Sequence, residues 1–240
     1  MAITLIGIDC ATQAKNVGLA RGSFEDGEVQ IYEVILGGRR ISIADTVAGW
    51  LSSRPNGLIA MDAPLGWPKA LGEELHSHEA GESIRVEPNQ LFRRETDLFI
   101  KKEIGKQSLD VGADRIARTA HAALTLLDEI REITGQPIPL AWKPGVTSGM
   151  SAIEVYPAAT LIVHDMHVSG YKRTDGQEAR RELLSKLQGQ ISLTADISLL
   201  ENNDDALDAA VCVLAGLDFL RGEVHKPKDF PLAKKEGWIW

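Results

Sequence analysis

The stretch Asp204–Arg221 constrains this chain more than any other. Ala206, Leu207, Ala209, Ala210, Val211, Cys212, Val213, Leu214 and Ala215 put apolar side chains all round a helical cylinder. A helix of that kind is buried on most sides, so the rest of the chain has to supply a layer for it to lie on. Asp208 nevertheless stands inside the run, one turn beyond Asp204 and Asp205. Capping the helix start accounts for Asp204 or Asp205 but not for Asp208. At a spacing of three, Asp205 and Asp208 project from one helix face.

Three further acids share this placement. Asp9 ends the apolar run Ile3–Asp9, Asp62 ends Leu58–Asp62, and Glu154 lies within Ser151–Tyr156. An ionised carboxylate is almost never fully buried unless paired or metal-bound, because desolvating it alone costs several kcal/mol or more. Each site has a local alternative: an Asx-turn for Asp9, a turn before Ala63-Pro64 for Asp62, an outward or locally bonded side chain for Glu154. Acids at four element ends together call for a cation. Oxygen ligands without His or Cys beside them select Mg²⁺ or Mn²⁺ rather than zinc. The metal candidates are therefore Asp9, Asp62, Asp205, Asp208 and Glu154, with the four aspartates as the catalytic set.

The pattern along the chain predicts an α/β fold. Ile3–Asp9, Val17–Arg21 and Glu28–Leu36 read as three strands of an antiparallel meander, the last two joined by turn signals at Asp26-Gly27. A helix over Ile43–Ser53 leads to a fourth strand, Leu58–Asp62, and a strand reached through a helix is most simply parallel to one already present. If so, Asp9 and Asp62 end on one sheet edge, where open α/β sheets gather their functional groups. From about residue 65 to 149 strand character is lost, apart from a long helix expected over Ala113–Ile133. This region reads as a mostly helical insertion within a single domain spanning 1–240. A fifth strand, Ser151–Tyr156, stops at Pro157. Helices follow at about Ala158–His167, Gln177–Gly189 and Asp204–Arg221. The aromatics of Glu236-Gly-Trp-Ile-Trp240 are expected to pack back onto the body.

Composition narrows the function classes. No apolar run reaches the roughly 18–20 residues that cross a bilayer, and the N-terminal segment lacks the basic region of a signal peptide, so residence in the cytoplasm is expected. Cys10 and Cys212 make no zinc-type or disulfide pattern and read as buried reduced thiols. The formal net charge of −8 opposes adhesion to long nucleic acid over a wide surface. A nucleic-acid substrate would have to be held locally, by basic residues near Arg93–Lys106 and Arg115–Arg118. No phosphate loop of the Walker type and no nucleophile elbow occurs.

The order of elements, with acids on the first and fourth strand ends and the last helix, is similar to the ribonuclease H-like fold. Asp205-Ala-Leu-Asp208-Ala resembles the Asp-x-x-Asp-Ala pattern of RuvC-type junction resolvases. More closely, the chain resembles domain-of-unknown-function family 429, whose members are predicted ribonuclease H-like nucleases. The matching segments are Gly7-Ile8-Asp9, Met61–Gly66, Arg93–Asp97, Glu154–Pro157, Asp205–Ala210 and Glu236–Ile239. The resemblance implies a mixed five-stranded sheet flanked by helices and an acidic site of Asp9, Asp62, Asp205 and Asp208. It assigns no role to Arg93–Asp97.

The reading that joins these observations is a divalent-metal-dependent nuclease, since paired carboxylate sites support phosphoester hydrolysis. Two alternatives stand beside it. One is an ATP-binding or phosphotransfer protein of the actin and sugar-kinase kind, which shares the core fold but needs a second lobe. The other is a non-catalytic binding protein.

Overall fold

The computed structural model describes residues 2–38, 42–112, 114–146 and 148–240. Ala113, where the long helix was expected to start, lies outside the described residues. Strands β1 (Ile3–Asp9), β2 (Gly18–Glu25) and β3 (Glu28–Leu36) form the meander. Its hairpin turns at Asp26 and Gly27, both at positive φ (52° and 86°), the conformation that twists a two-residue turn to match its strands. Helix α1 (Ile43–Leu51) starts at Ser42, whose hydroxyl accepts from the Asp45 N–H, and leads to β4 (Gly57–Asp62), parallel to β1. Between β4 and β5 (Met150–Glu154) run α2 (Lys69–Leu75), α3 (Pro88–Phe92), α4 (Glu95–Glu103) and α5 (Asp114–Thr134). After β5 come α6 (Pro157–Val163), α7 (Gln177–Leu187), β6 (Ser192–Leu193), α8 (Ile197–Asn202), α9 (Asp204–Arg221) and α10 (Phe230–Glu236).

The sheet order is β5-β4-β1-β2-β3-β6, and β2 alone runs against the others. A meander extended on its β1 side by two parallel strands is the ribonuclease H-like arrangement. The sheet has six strands where five were expected. The sixth, β6, is two residues long and pairs with Gln30 and Ile31 at the far edge, too short to show a period of two. Among the described residues no second meander follows β5, and none forms the partner lobe that a sugar-kinase cleft needs.

Side chains alternate across the strands as the period of two demands. Leu5, Leu58 and Ile153 point into a core shared with α6, α7, α8 and α9. Ile6, Ile59 and Ala152 point into a second core closed by α1 and α5. A sheet covered on both faces explains why β1 and β4 read as continuous apolar runs.

Helix α9 lies directly on β1 and β2, and two glycines set its height. A Cβ at Gly7 would fall 2.0 Å from the Ala209 carbonyl oxygen, and one at Gly18 2.0 Å from that of Asp205. Only hydrogen fits at either place. This close approach sinks Ala206–Ala215 to 2% exposure or less and lowers Asp208 to the carboxyl ends of the strands.

Candidate metal centre

Asp9 and Asp62 are register partners at the carboxyl ends of adjacent parallel strands, so their side chains leave the sheet together. Asp208 descends on them from the second turn of α9. One oxygen from each of Asp9, Asp62 and Asp208 can be chosen so that all three lie within 4.8 Å of one another. Asp205 is absent from this set: it is half-buried in the first turn of α9. Neither Asp204 nor Asp205 caps the helix. That role falls to Asn203, whose side-chain oxygen accepts from the Ala206 N–H at 2.8 Å.

The site is short of positive charge. Burial first, then the neighbouring Asp62 and Asp208, push the Asp9 carboxyl up to about 9. Burial and then Asp208 push Asp62 up to about 7, and burial, Asp204 and Asp208 push Asp205 up to about 6. Asp208 is raised as well, chiefly by burial. Three carboxylates this close cannot all ionise without a cation among them.

Part of that cation is supplied from the loop between α6 and α7. The Lys172 ammonium pairs with Asp208 Oδ2, and the Tyr171 hydroxyl donates to Asp208 Oδ1 at 3.0 Å. Burial alone would lower the Lys172 pKa, but Asp208, then Asp62 and Asp9, hold it above its usual value. The loop is fixed from behind by the buried Arg180. Its guanidinium donates to the carbonyls of Tyr171 (2.6 Å), Arg173 (3.0 Å) and Glu201 (2.7 Å). Tyr171 and Lys172 were not anticipated from sequence, because nothing in Gly170-Tyr-Lys-Arg-Thr-Asp-Gly176 departs from an ordinary polar turn.

The donor set suits a hard divalent ion: three carboxylates with facing oxygens and no competing soft ligand. Cys10 and Cys212 lie close by, but burial pushes both thiols well up, and they remain free and protonated.

A family model described as "Protein of unknown function (DUF429)" matches residues 7–231. The chain belongs to the DUF429 family. No curated protein matches it. Among solved structures it is similar to one described as T. thermophilus RuvC in complex with Holliday junction substrate, at 12% identity and a TM-score of 0.39, over 92% of this chain and 96% of that one.

In this DUF429 chain the segments without an assigned role meet in a second polar centre behind the acids. Arg94, 1% exposed, donates to both oxygens of Glu154 (2.7 and 2.9 Å) and both of Asp97 (3.0 Å each). The Leu65 N–H adds a further bond to Glu154 at 2.9 Å. Glu154 is thus turned away from the acid cluster. Its oxygens are occupied, although burial still raises its carboxyl against the Arg94 charge. Glu236 ties in the tail by accepting from the backbone N–H groups of Lys69 (2.7 Å) and Glu95 (2.8 Å). Gly237, at φ 89°, packs so close that a Cβ there would meet Glu154 Oε2 at 2.8 Å and Arg94 Nη1 at 3.0 Å.

Arg94 is therefore held in its ion pairs with Asp97 and Glu154, and Arg93 is committed to Asp110 at 2.8 Å. Of that basic run, Lys106 and the paired Arg94 reach the site: with Asp62, Tyr156 and Lys172 they line a recess of about 390 Å³. The tail aromatics pack inward as expected, Trp238 against Phe99 and Trp240 against Phe219.

Proposed function

We propose that this protein is a divalent-metal-dependent nuclease that hydrolyses phosphodiester bonds of a nucleic acid, with Asp9, Asp62 and Asp208 as its metal-binding carboxylates and Asp205 at the rim of the site. The observation that carries the reading is the convergence of three acids from β1, β4 and α9 with too little positive charge to balance them. Such an arrangement is costly to fold and is accounted for by a cation that the chain binds for use.

Mg²⁺ or Mn²⁺ held by Asp9, Asp62 and Asp208 would supply Lewis-acid stabilisation of the phosphoryl oxygens and a more acidic bound water. The chain's own groups prepare that site. The Tyr171 hydroxyl and the Lys172 ammonium fix the orientation of Asp208 and favour its ionised form. The outer part of Lys172, about half exposed, faces the recess beside Asp62, where a phosphate entering the site meets a positive charge. The Arg94–Glu154 pair holds the floor of the recess rigid without giving up a carboxylate to the metal.

The test is Mn²⁺ titration calorimetry together with cleavage of a mixed panel of DNA and RNA substrates in Mg²⁺. The expected outcome is metal binding and cleavage in the wild type, both abolished in Asp9→Asn and in Asp208→Asn. A wild type inert on every substrate yet thermally stabilised by ATP would assign the site to phosphotransfer instead. Inertness together with no response to metal or nucleotide would make the protein a binding module.

A further inference from the structure

We infer that the recess beside the acids is a pocket for one unpaired nucleotide, so that the substrate is a single strand or a frayed end rather than an intact duplex. The inference rests on the nuclease reading above and names the substrate class of the same site.

Size is the first argument. The recess, about 390 Å³, lies near the lower end of the ~300–1,000 Å³ range of small-ligand sites. It admits one base with its sugar and has no room for a base pair. A base still stacked and paired in a duplex stays outside such a cavity unless it is extruded, at a cost of a few kcal/mol.

The lining is the second argument, because, beside the mutually paired Arg94, Asp97 and Glu154, it brings together the kinds of group a nucleotide meets. Asp62 and Lys172 stand at the acid end, where a phosphate belongs. Tyr156, Leu109 and Ile116 offer an aromatic and aliphatic wall, and Ser108 and Thr119 place hydroxyls along it. Leu109 is 70% exposed, an unusual position for a large aliphatic side chain on a loop and a natural one at the mouth of a base pocket. Aromatic and apolar side chains are the usual platform for unstacked bases, which every base can use because each has a π-face.

Charge is the third. A duplex-binding protein neutralises many phosphates, commonly six to ten. Around this site the supply of cations is small. Arg94 is buried in its ion pairs and Arg93 is held by Asp110. Lys106 and Arg118 form no ion pair among the described residues. Arg118 lies on the other side of α5, lining a separate recess with His121 and Thr12. Lys106 and Arg118, with Lys172 already shared with Asp208, meet at most about three phosphates, which suits a short single strand and falls short of what a duplex needs on a chain of net charge −8.

The experiment measures binding with Ca²⁺ in place of the catalytic ion, by fluorescence anisotropy, on a ten-nucleotide single strand and on a blunt duplex of that strand with its complement. Wild type is expected to bind the single strand at least about tenfold more tightly. The slope of log affinity against log salt is expected to be about −2, from three phosphates at roughly −0.7 each. Ile116→Trp, which fills the recess, and Lys106→Ala are each expected to weaken single-strand binding about tenfold or more while leaving Mn²⁺ binding by calorimetry unchanged. Equal or tighter binding of the blunt duplex, or single-strand binding indifferent to both substitutions, overturns the inference. Absence of Mn²⁺ binding in the wild type is a different result, because it removes the nuclease reading itself.

Discussion

The acid cluster should make the stability of the metal-free fold fall as pH rises through neutrality. In the folded chain the Asp9 carboxyl lies at about 9 and that of Asp62 at about 7, both raised first by burial; in the unfolded chain both return to about 4. Between those limits the folded state holds more protons than the unfolded state, so each unit of rising pH removes stability. The contribution is complete below about pH 4; Asp62 loses its share up to about pH 7 and Asp9 up to about pH 9. Each carboxyl gives a slope of about 1.4 kcal/mol per pH unit. Because the acids titrate as a group, only the proton still held by Asp9 is counted above pH 7. From pH 7 to 9 that amounts to roughly 2–3 kcal/mol, or about 5–10 °C in Tm for a domain of this size. The assay is urea unfolding in EDTA at half-unit steps from pH 6 to 9, with wild type and Asp9→Asn side by side. Wild type should decline over this range, and the variant should lack the part of the slope between 7 and 9. Saturating Mg²⁺ should offset the wild-type decline, because the ion binds the deprotonated carboxylates of the folded chain. A metal-free wild type whose stability does not change between pH 7 and 9, or a decline that survives Asp9→Asn, refutes the reasoning.

Two substitutions away from the acids test the scaffold. Arg94→Met leaves Asp97 and Glu154 buried without their cation and should cost about 3–5 kcal/mol, read as a lowered urea midpoint; a loss under about 1 kcal/mol would show that water reaches this centre. Gly7→Ala forces α9 away from β1 and should cost about 1–3 kcal/mol while weakening Mn²⁺ binding at least about tenfold. If that variant is destabilised but binds metal normally, the height of the helix does not set the position of Asp208.

What the sequence made legible follows from where burial is strongest. β1, β4 and α9 are covered on both faces or all round, so their apolar runs mark them almost to the residue, and the acids that interrupt those runs stand out. β6, α8 and α10, at two, six and seven residues, span too few repeats for a periodic pattern to stand out, although Asp196 and Asp229 cap the two helices locally. Glu154 looked like a further metal ligand because strand position says where a carboxylate begins, not which partner it finds. Its partner, Arg94, lies sixty residues away in a charged run that reads as a solvated helix face. Lys172 and Tyr171 were hidden for a similar reason. Their importance comes from the Arg180 clamp and from α9 arriving opposite them, which no local pattern encodes.

The low seat of α9 has a consequence for how the site comes into being. Asp9 and Asp62 belong to strands made early in synthesis, whereas Asp208 arrives on a helix that follows by most of the chain's length. The third carboxylate can join only after the sheet is complete and its glycines have received the helix. Contacts so distant in sequence form late and slowly. A nascent or partly folded chain therefore carries two of the three acids, and the full cluster appears with the final docking step. On the nuclease reading, assembly order alone would keep an immature chain from being a metal-charged one.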